Sequence, residues 1–67
     1  MSNRLTQKEL MYLNDVLSSE EKEIKKFNHA HSQVQDPQAK SVLKSIATMH
    51  QSHFDTLKRY IDTTSMQ

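Results

Sequence analysis

The sequence predicts an all-α fold, an antiparallel hairpin of two long amphipathic helices. The 67 residues contain no glycine and a single proline, and these two residues are needed in number for the tight turns of a β domain. Apolar residues recur at steps of three and four along two long segments, which is the periodicity of amphipathic helices. A single strong break, Asp36-Pro37, separates the segments. We therefore expect one helical hairpin domain spanning residues 1–67.

The first helix is predicted over about residues 7–35. Thr6 and Glu9 have the spacing of a capping box, in which each side chain bonds a free backbone amide of the first turn. Beyond the cap, one row of side chains alternates steps of three and four without interruption and forms the seam expected of a bundle helix. The seam consists of Leu10, Leu13, Leu17, Glu20, Ile24, Phe27, His31 and Val34.

The second helix is predicted over about residues 37–62. Asp36 is a favoured N-cap residue, and proline at the first helical position loses only an amide that has no helical partner. The predicted seam consists of Ala39, Leu43, Ile46, His50, His53, Leu57 and Tyr60, flanked by Val42, Met49, Phe54 and Ile61. Polar residues such as Lys40 and Lys44 are expected on the opposite face. Residues 63–67 are predicted to be a frayed tail.

The width of the apolar stripes predicts self-association. Each stripe spans roughly 140–160° at 100° per residue, more than two helices facing only each other would cover. A chain of this size usually needs disulfides, a metal or partner chains for stability, and it has no cysteine. Closed two-fold dimers are the commonest homo-oligomers. We therefore expect two hairpins to dimerise into a four-helix bundle.

Charge and motif content exclude several classes of function. The net charge is +1, and acidic and basic residues are interleaved, so no basic patch for nucleic acid is expected. No apolar run approaches the length of a membrane span or signal sequence, which predicts a protein made in the cytoplasm with no membrane partner. There is no cysteine nucleophile, glycine-rich phosphate loop or serine triad context. We expect neither an enzyme nor an organic cofactor.

Three polar residues occupy seam positions where apolar side chains are expected. In a hairpin that turns near residue 36, Glu20 lies level with residue 52, and His50 and His53 bracket that level. The i, i+3 spacing of the two histidines places both rings on one helix face, so the three residues could bind one metal ion. Alternatively, Glu20 pairs with a protonated histidine in a metal-free polar layer, or the three residues are simply solvated.

The remaining ligand-type residues favour simpler interpretations. His31 lies on the seam level with Ser41, where no second ligand stands, so we expect a packed histidine near the turn. His29 points to the outer face. Glu23 lies at the edge of the stripe, and we expect a solvated rim charge there rather than a second carboxylate ligand.

Several segments together resemble the spore coat protein F family of endospore-forming bacteria. They are residues 5–10, 12–15, 35–37 and 49–57, together with Glu20. The most specific part is the Met-His-x-x-His-Phe-x-x-Leu segment at 49–57 combined with the Asp-Pro turn, and the match extends over roughly residues 5–61. The resemblance implies a ferritin-like fold, in which this hairpin would be one half of the bundle.

The resemblance also bears on the metal and on the function. Ferritin-like carboxylate bundles combine a glutamate on one helix with Glu-x-x-His on another. Glu20 and His53 match that pattern, but His50 stands where the second glutamate belongs, so a single zinc or iron ion fits better than a di-iron oxidase centre. The implied function is a non-enzymatic structural or assembly protein of the spore coat, associating with itself and with other coat proteins. The alternative is a ferritin-like metal-binding module.

Overall fold

The computed structural model describes residues 5–64, which form two α-helices and no strand. Helix α1 spans Gln7–Gln33 and helix α2 spans Pro37–Thr64, joined by a loop at residues 34–36. Glu20 contacts His50 and His53. The Lys40 side chain contacts the backbone of His31. The two helices therefore run antiparallel. The hairpin measures about 52 × 17 × 12 Å. The predicted all-α hairpin is confirmed for these residues.

The start of α1 has the predicted capping box. Thr6 Oγ1 accepts a hydrogen bond from the Glu9 amide at 3.0 Å, and Glu9 Oε1 accepts one from the Thr6 amide at 3.0 Å. These two bonds satisfy amides that would otherwise lack an intrahelical partner. Helix α1 therefore begins at Gln7, as predicted from the local sequence.

Asp36 caps α2 as predicted, whereas α1 ends earlier than predicted. Helix α1 ends at Gln33, two residues before the predicted end, because Val34 adopts an extended backbone (φ −91°, ψ 154°). Asp36 Oδ2 accepts a hydrogen bond from the Ala39 amide at 2.8 Å, and Pro37 opens α2.

Helix α2 extends two residues beyond its predicted end at 62. Thr63 and Thr64, expected in a frayed tail, are helical, and Thr64 is buried. Because the helices are antiparallel, the last turn of α2 lies beside the first turn of α1. The sequence at 63–64 contains no residue that ends a helix, and packing against α1 can stabilise this last turn. The rest of the predicted tail, 65–67, lies outside the described residues.

The contact between the helices is a thin core. Within residues 5–64 the only buried side chains are Ala47, Ile61 and Thr64. All eight predicted seam positions of α1 are half-buried, in agreement with the sequence pattern. On α2 the inward row consists of Leu43, Ala47, His50, Phe54, Leu57, Ile61 and Thr64. This row keeps the steps of three and four expected of two packed helices.

The inward row of α2 differs from the predicted seam at three positions, whereas Ile46 of the predicted seam is half-buried beside it. His53 and Tyr60 were predicted to face inward, but both are exposed, and Phe54 and Ile61 occupy the inward positions instead. Ala47, which the predicted seam omitted, is only 3% exposed. Ala47 has the lowest exposure of the described residues, so the rotation of α2 places this small side chain at the centre of the helix contact.

One side of the hairpin carries most of the exposed apolar side chains. This surface, here called the broad apolar face, comprises Tyr12 and Val16 of α1 and Val42, Met49 and Tyr60 of α2. These five residues are 46–58% exposed. Successive side chains of a helix are rotated by about 100° around its axis. With this rotation and the antiparallel direction of the two helices, all five side chains lie on the same side of the α1–α2 contact. The opposite side is polar, with Asn28, Lys44, Thr48 and Gln51 around a shallow depression.

Candidate metal centre

Glu20 of α1 lies beside His50 and His53 of α2, as predicted by counting residues on each side of the turn. Nδ1 of His50 lies 2.5 Å from Oε1 of Glu20, and Nδ1 of His53 lies 3.2 Å from Oε2. One ligand atom from each residue lies within 4.8 Å of the others. Glu20 comes from the middle of α1, and the two histidines come from successive turns of α2, so both elements are needed to form the cluster.

The histidines govern the charge state of Glu20. The hydrogen bond from His50 lowers the pKa of the Glu20 carboxyl group below its ordinary value of 4.5, and the charges of His50 and His53 act in the same direction. Burial opposes this effect by raising the pKa, since only 17% of the side chain is exposed. The net lowering extends the ionised state of the carboxylate to lower pH, and an ionised carboxylate accepts hydrogen bonds or binds a cation.

Neighbouring aromatic contacts orient the two imidazole rings. The Phe27 ring stacks on His50 with 5.6 Å between centroids and 26° between planes. The His53 ring stands almost perpendicular to His50, at 6.0 Å and 88°. His50 is thus held on both sides, whereas the His53 side chain remains 51% exposed. The cluster therefore has a fixed inner ligand and an outer ligand at the surface.

The geometry can serve either a hydrogen-bonded layer or a metal ion. An ionised carboxylate can only accept hydrogen bonds. In the metal-free state the Nδ1–H groups of His50 and His53 therefore donate to Glu20. Two ligands of a tetrahedral zinc ion lie about 3.3 Å apart, given metal–ligand bonds of about 2.0–2.1 Å. The separation between His53 and Glu20 has this value, whereas that between His50 and Glu20 is a hydrogen-bond length. Metal binding therefore requires the His50 ring or the carboxylate to move outward.

The cluster opens on the broad apolar face. A surface depression of about 200 Å³ lies beside it, lined by Asp15, Val16, Ser19, Glu20, Glu23 and His50. Val16 belongs to the broad apolar face, and the exposed His53 lies on the same flank of α2 as Met49 and Tyr60. A molecule covering this face would therefore cover the Glu20, His50 and His53 cluster as well.

The other candidate residues lie where the sequence placed them. Glu23 is half-buried, forms an ion pair with the exposed Lys26 at 3.7 Å and contributes no ligand atom to the cluster. His31 is half-buried and shares a depression near the turn with Ser41. His29 is exposed. None of the three joins the cluster.

Sequence reasoning missed the role of Lys40. It was assigned to the polar outer face, but it is half-buried, and its Nζ donates a hydrogen bond to the His31 carbonyl at 2.8 Å. The lysine thus satisfies a carbonyl in the last turns of α1, where a positive charge is also favoured by the helix dipole. The long side chain at the start of α2, just past the turn, is the signal that could have indicated this contact.

Comparison of the chain with family models, curated proteins and solved structures gave no match. Neither helix is long and apolar enough, over the residues described, to cross a membrane.

Proposed function

We propose that the protein is a non-enzymatic structural or assembly protein that acts by self-association of its helical hairpins. The observation that carries this proposal is the broad apolar face. Five large apolar side chains lie about half exposed on one side of a molecule that buries only three residues within 5–64. Large contiguous apolar patches on soluble proteins mark interaction sites.

A second copy of the chain is the partner that best fits this face. The face extends from Tyr12 and Tyr60 near the open end of the hairpin to Val42 near the turn, so it offers most of the length of the hairpin to a partner. Covering it would remove the remaining exposure of its five apolar side chains, worth roughly 1 kcal/mol each. Two hairpins packed face to face would form a four-helix bundle, which is a stable arrangement for short helical chains.

The biological setting that we propose is the bacterial spore coat. It is supported by the resemblance to the spore coat protein F family over residues 5–61 and by the hairpin architecture that the resemblance implies. The protein would be made in the cytoplasm and assembled with itself and with other coat proteins. A fluorescent fusion expressed in an endospore-forming bacterium should collect in the coat fraction of purified spores, and a fusion that remains in the mother cell would contradict this setting.

Sedimentation equilibrium tests self-association directly. We expect the wild-type chain to be a dimer at micromolar concentration and Met49→Glu to lose most of that association. Met49 is already 46% exposed in the hairpin, so the substitution affects association more than the fold of one chain. Thr48→Glu is the matched control, because Thr48 is exposed on the polar side and should leave the dimer intact. A helical wild-type monomer would overturn the proposal.

A second candidate function, a ferritin-like metal-binding module, is favoured by the Glu20, His50 and His53 cluster. Three residues of metal-ligand type placed within 4.8 Å satisfy the donor requirement of a zinc or iron site with one open position. Elemental analysis of the purified protein should then find about one ion per chain. Loss of that ion from a His50→Ala, His53→Ala double variant would assign it to this cluster, and metal-free wild-type protein would exclude this second function.

A further inference from the structure

We propose that Met49 is a modification site, at which oxidation of the thioether to the sulfoxide by a hydroperoxide prevents self-association of the chain. Enzymatic reduction of the sulfoxide restores the thioether, so the modification is reversible. This inference rests on the proposed self-association and adds its regulation.

Methionine is the only sulfur-containing residue type in the chain. The sequence contains four methionines and no cysteine, so no thiol competes for a two-electron oxidant. In the proposed step, the thioether sulfur attacks one oxygen of hydrogen peroxide and the O–O bond breaks. The proton of the transferred oxygen passes to the leaving hydroxide, which departs as water. The sulfur is thereby oxidised by two electrons, and the peroxide is reduced.

The Met49 side chain is open to a small oxidant in the single hairpin. The residue is 46% exposed and lies on the broad apolar face. In the dimer, a second copy covers that face and protects the sulfur. Oxidation therefore acts on the monomer that is in equilibrium with the dimer, and it removes this monomer from association.

Met49 lies in the interior of the broad apolar face rather than at its edge. On α2 it stands two turns from Val42, toward the loop, and three turns from Tyr60, toward the end of the helix. A partner that covers the length of the face therefore covers Met49, whichever way the two hairpins run.

The sulfoxide is unfavourable in that covered position. Oxidation converts a flexible apolar side chain into a polar one, and burying a polar group without a hydrogen-bond partner is costly. A dimer buries one such group from each copy, so the effect counts twice. We expect the dimer Kd to rise at least tenfold. The single hairpin leaves Met49 about half exposed and therefore tolerates the sulfoxide.

Met11 provides a control within the same chain. It is 56% exposed, so a small oxidant reaches it as readily as Met49. Its side chain is rotated by about 100° around α1 from Tyr12, away from the helix contact, and lies outside the broad apolar face. Oxidation of Met11 should therefore leave association unchanged.

Sedimentation equilibrium before and after treatment with hydrogen peroxide tests the proposal, with the sulfoxide at each methionine measured by peptide mass spectrometry. The dimer Kd of the wild type and of Met11→Leu should rise at least tenfold on oxidation. Met49→Leu, in which the other three methionines are still oxidised, should keep the Kd of its own untreated form. Treatment of the oxidised wild type with methionine sulfoxide reductases should restore its association.

The rate of oxidation gives a second readout. At rising protein concentration, oxidation of Met49 should slow because the dimer protects it, whereas oxidation of Met11 should not. Circular dichroism of the oxidised wild type should still show the helices, and their loss would overturn an effect confined to the interface.

The outcomes separate this inference from the proposed self-association. Oxidised wild type that dimerises with an unchanged Kd, or Met49→Leu that loses association on oxidation as the wild type does, overturns only the role of Met49. A wild-type chain that is monomeric before any oxidation overturns self-association as well.

Discussion

Glu20 is the residue on which the polar cluster depends, because each of its carboxylate oxygens serves one histidine. In the sequence, Glu20 is the acidic residue of a mostly apolar seam. Counting residues on each side of the turn predicted that His50 and His53 lie opposite it. Both inferences needed only helix periodicity and the position of the turn. The exposure of His53 could not be derived in this way, because it depends on how α2 rotates against α1.

The lowered pKa of Glu20 predicts a specific pH dependence for the metal-free protein. A carboxyl group whose pKa is lower in the folded state stabilises that state above the unfolded value near 4.5, and the stabilisation is lost as pH falls through the lowered folded value. In EDTA, the melting temperature of the wild type should exceed that of Glu20→Gln at neutral pH. The difference should shrink as pH falls from about 5 to about 3.

Glu21→Gln is the control for this experiment, because it removes an exposed carboxylate from the adjacent position of the same helix. Its melting temperature should follow that of the wild type across the whole range. A difference between wild type and Glu20→Gln that stays constant with pH would show that the carboxylate charge contributes nothing to the fold.

At the scale of the helices, local hydrogen bonds determine where each element begins. Thr6 and Glu9 close the first turn of α1, and Asp36 caps α2 through the Ala39 amide. These contacts were predictable because they join residues three positions apart. The contact between Lys40 and the His31 carbonyl was not, since it joins two helices across the turn.

Replacing Asp36 with alanine should lower the free energy of unfolding by roughly 1 kcal/mol, the usual effect of losing an N-cap side chain. Chemical denaturation followed by circular dichroism measures it. Asp62→Ala is the control, because it removes only the exposed i, i+4 pair with Lys58, worth about 0.3–0.5 kcal/mol. Equal effects of the two substitutions would show that the cap does not stabilise α2.

At the scale of the whole molecule, the hairpin has more apolar surface than two helices can bury. The predicted stripes were too wide for one partner helix, and the structure uses part of each stripe for the α1–α2 contact. The remainder forms the broad apolar face. The excess is therefore concentrated on one side, where a second hairpin could cover all of it at once.

A chain that gains its stability from a dimer should melt at a temperature that depends on concentration. We expect the melting temperature of the wild type to rise by several degrees between low and high micromolar protein, because mass action favours the folded dimer. Thr48→Glu should behave in the same way, and Met49→Glu should lose the dependence. A wild-type melting temperature that is independent of concentration would contradict stabilisation by association.

Sequence alone determined the helical class, both N-caps, the turn and the level at which Glu20 meets His50 and His53. These features follow from interactions within a few residues or from counting along an antiparallel pair. Tertiary structure decided the rotation of α2, which turns Ala47, Phe54 and Ile61 inward and leaves His53 and Tyr60 at the surface. A wide stripe is compatible with several rotations, and only the close packing of two particular surfaces selects one of them. That selection places the polar cluster at the edge of the broad apolar face.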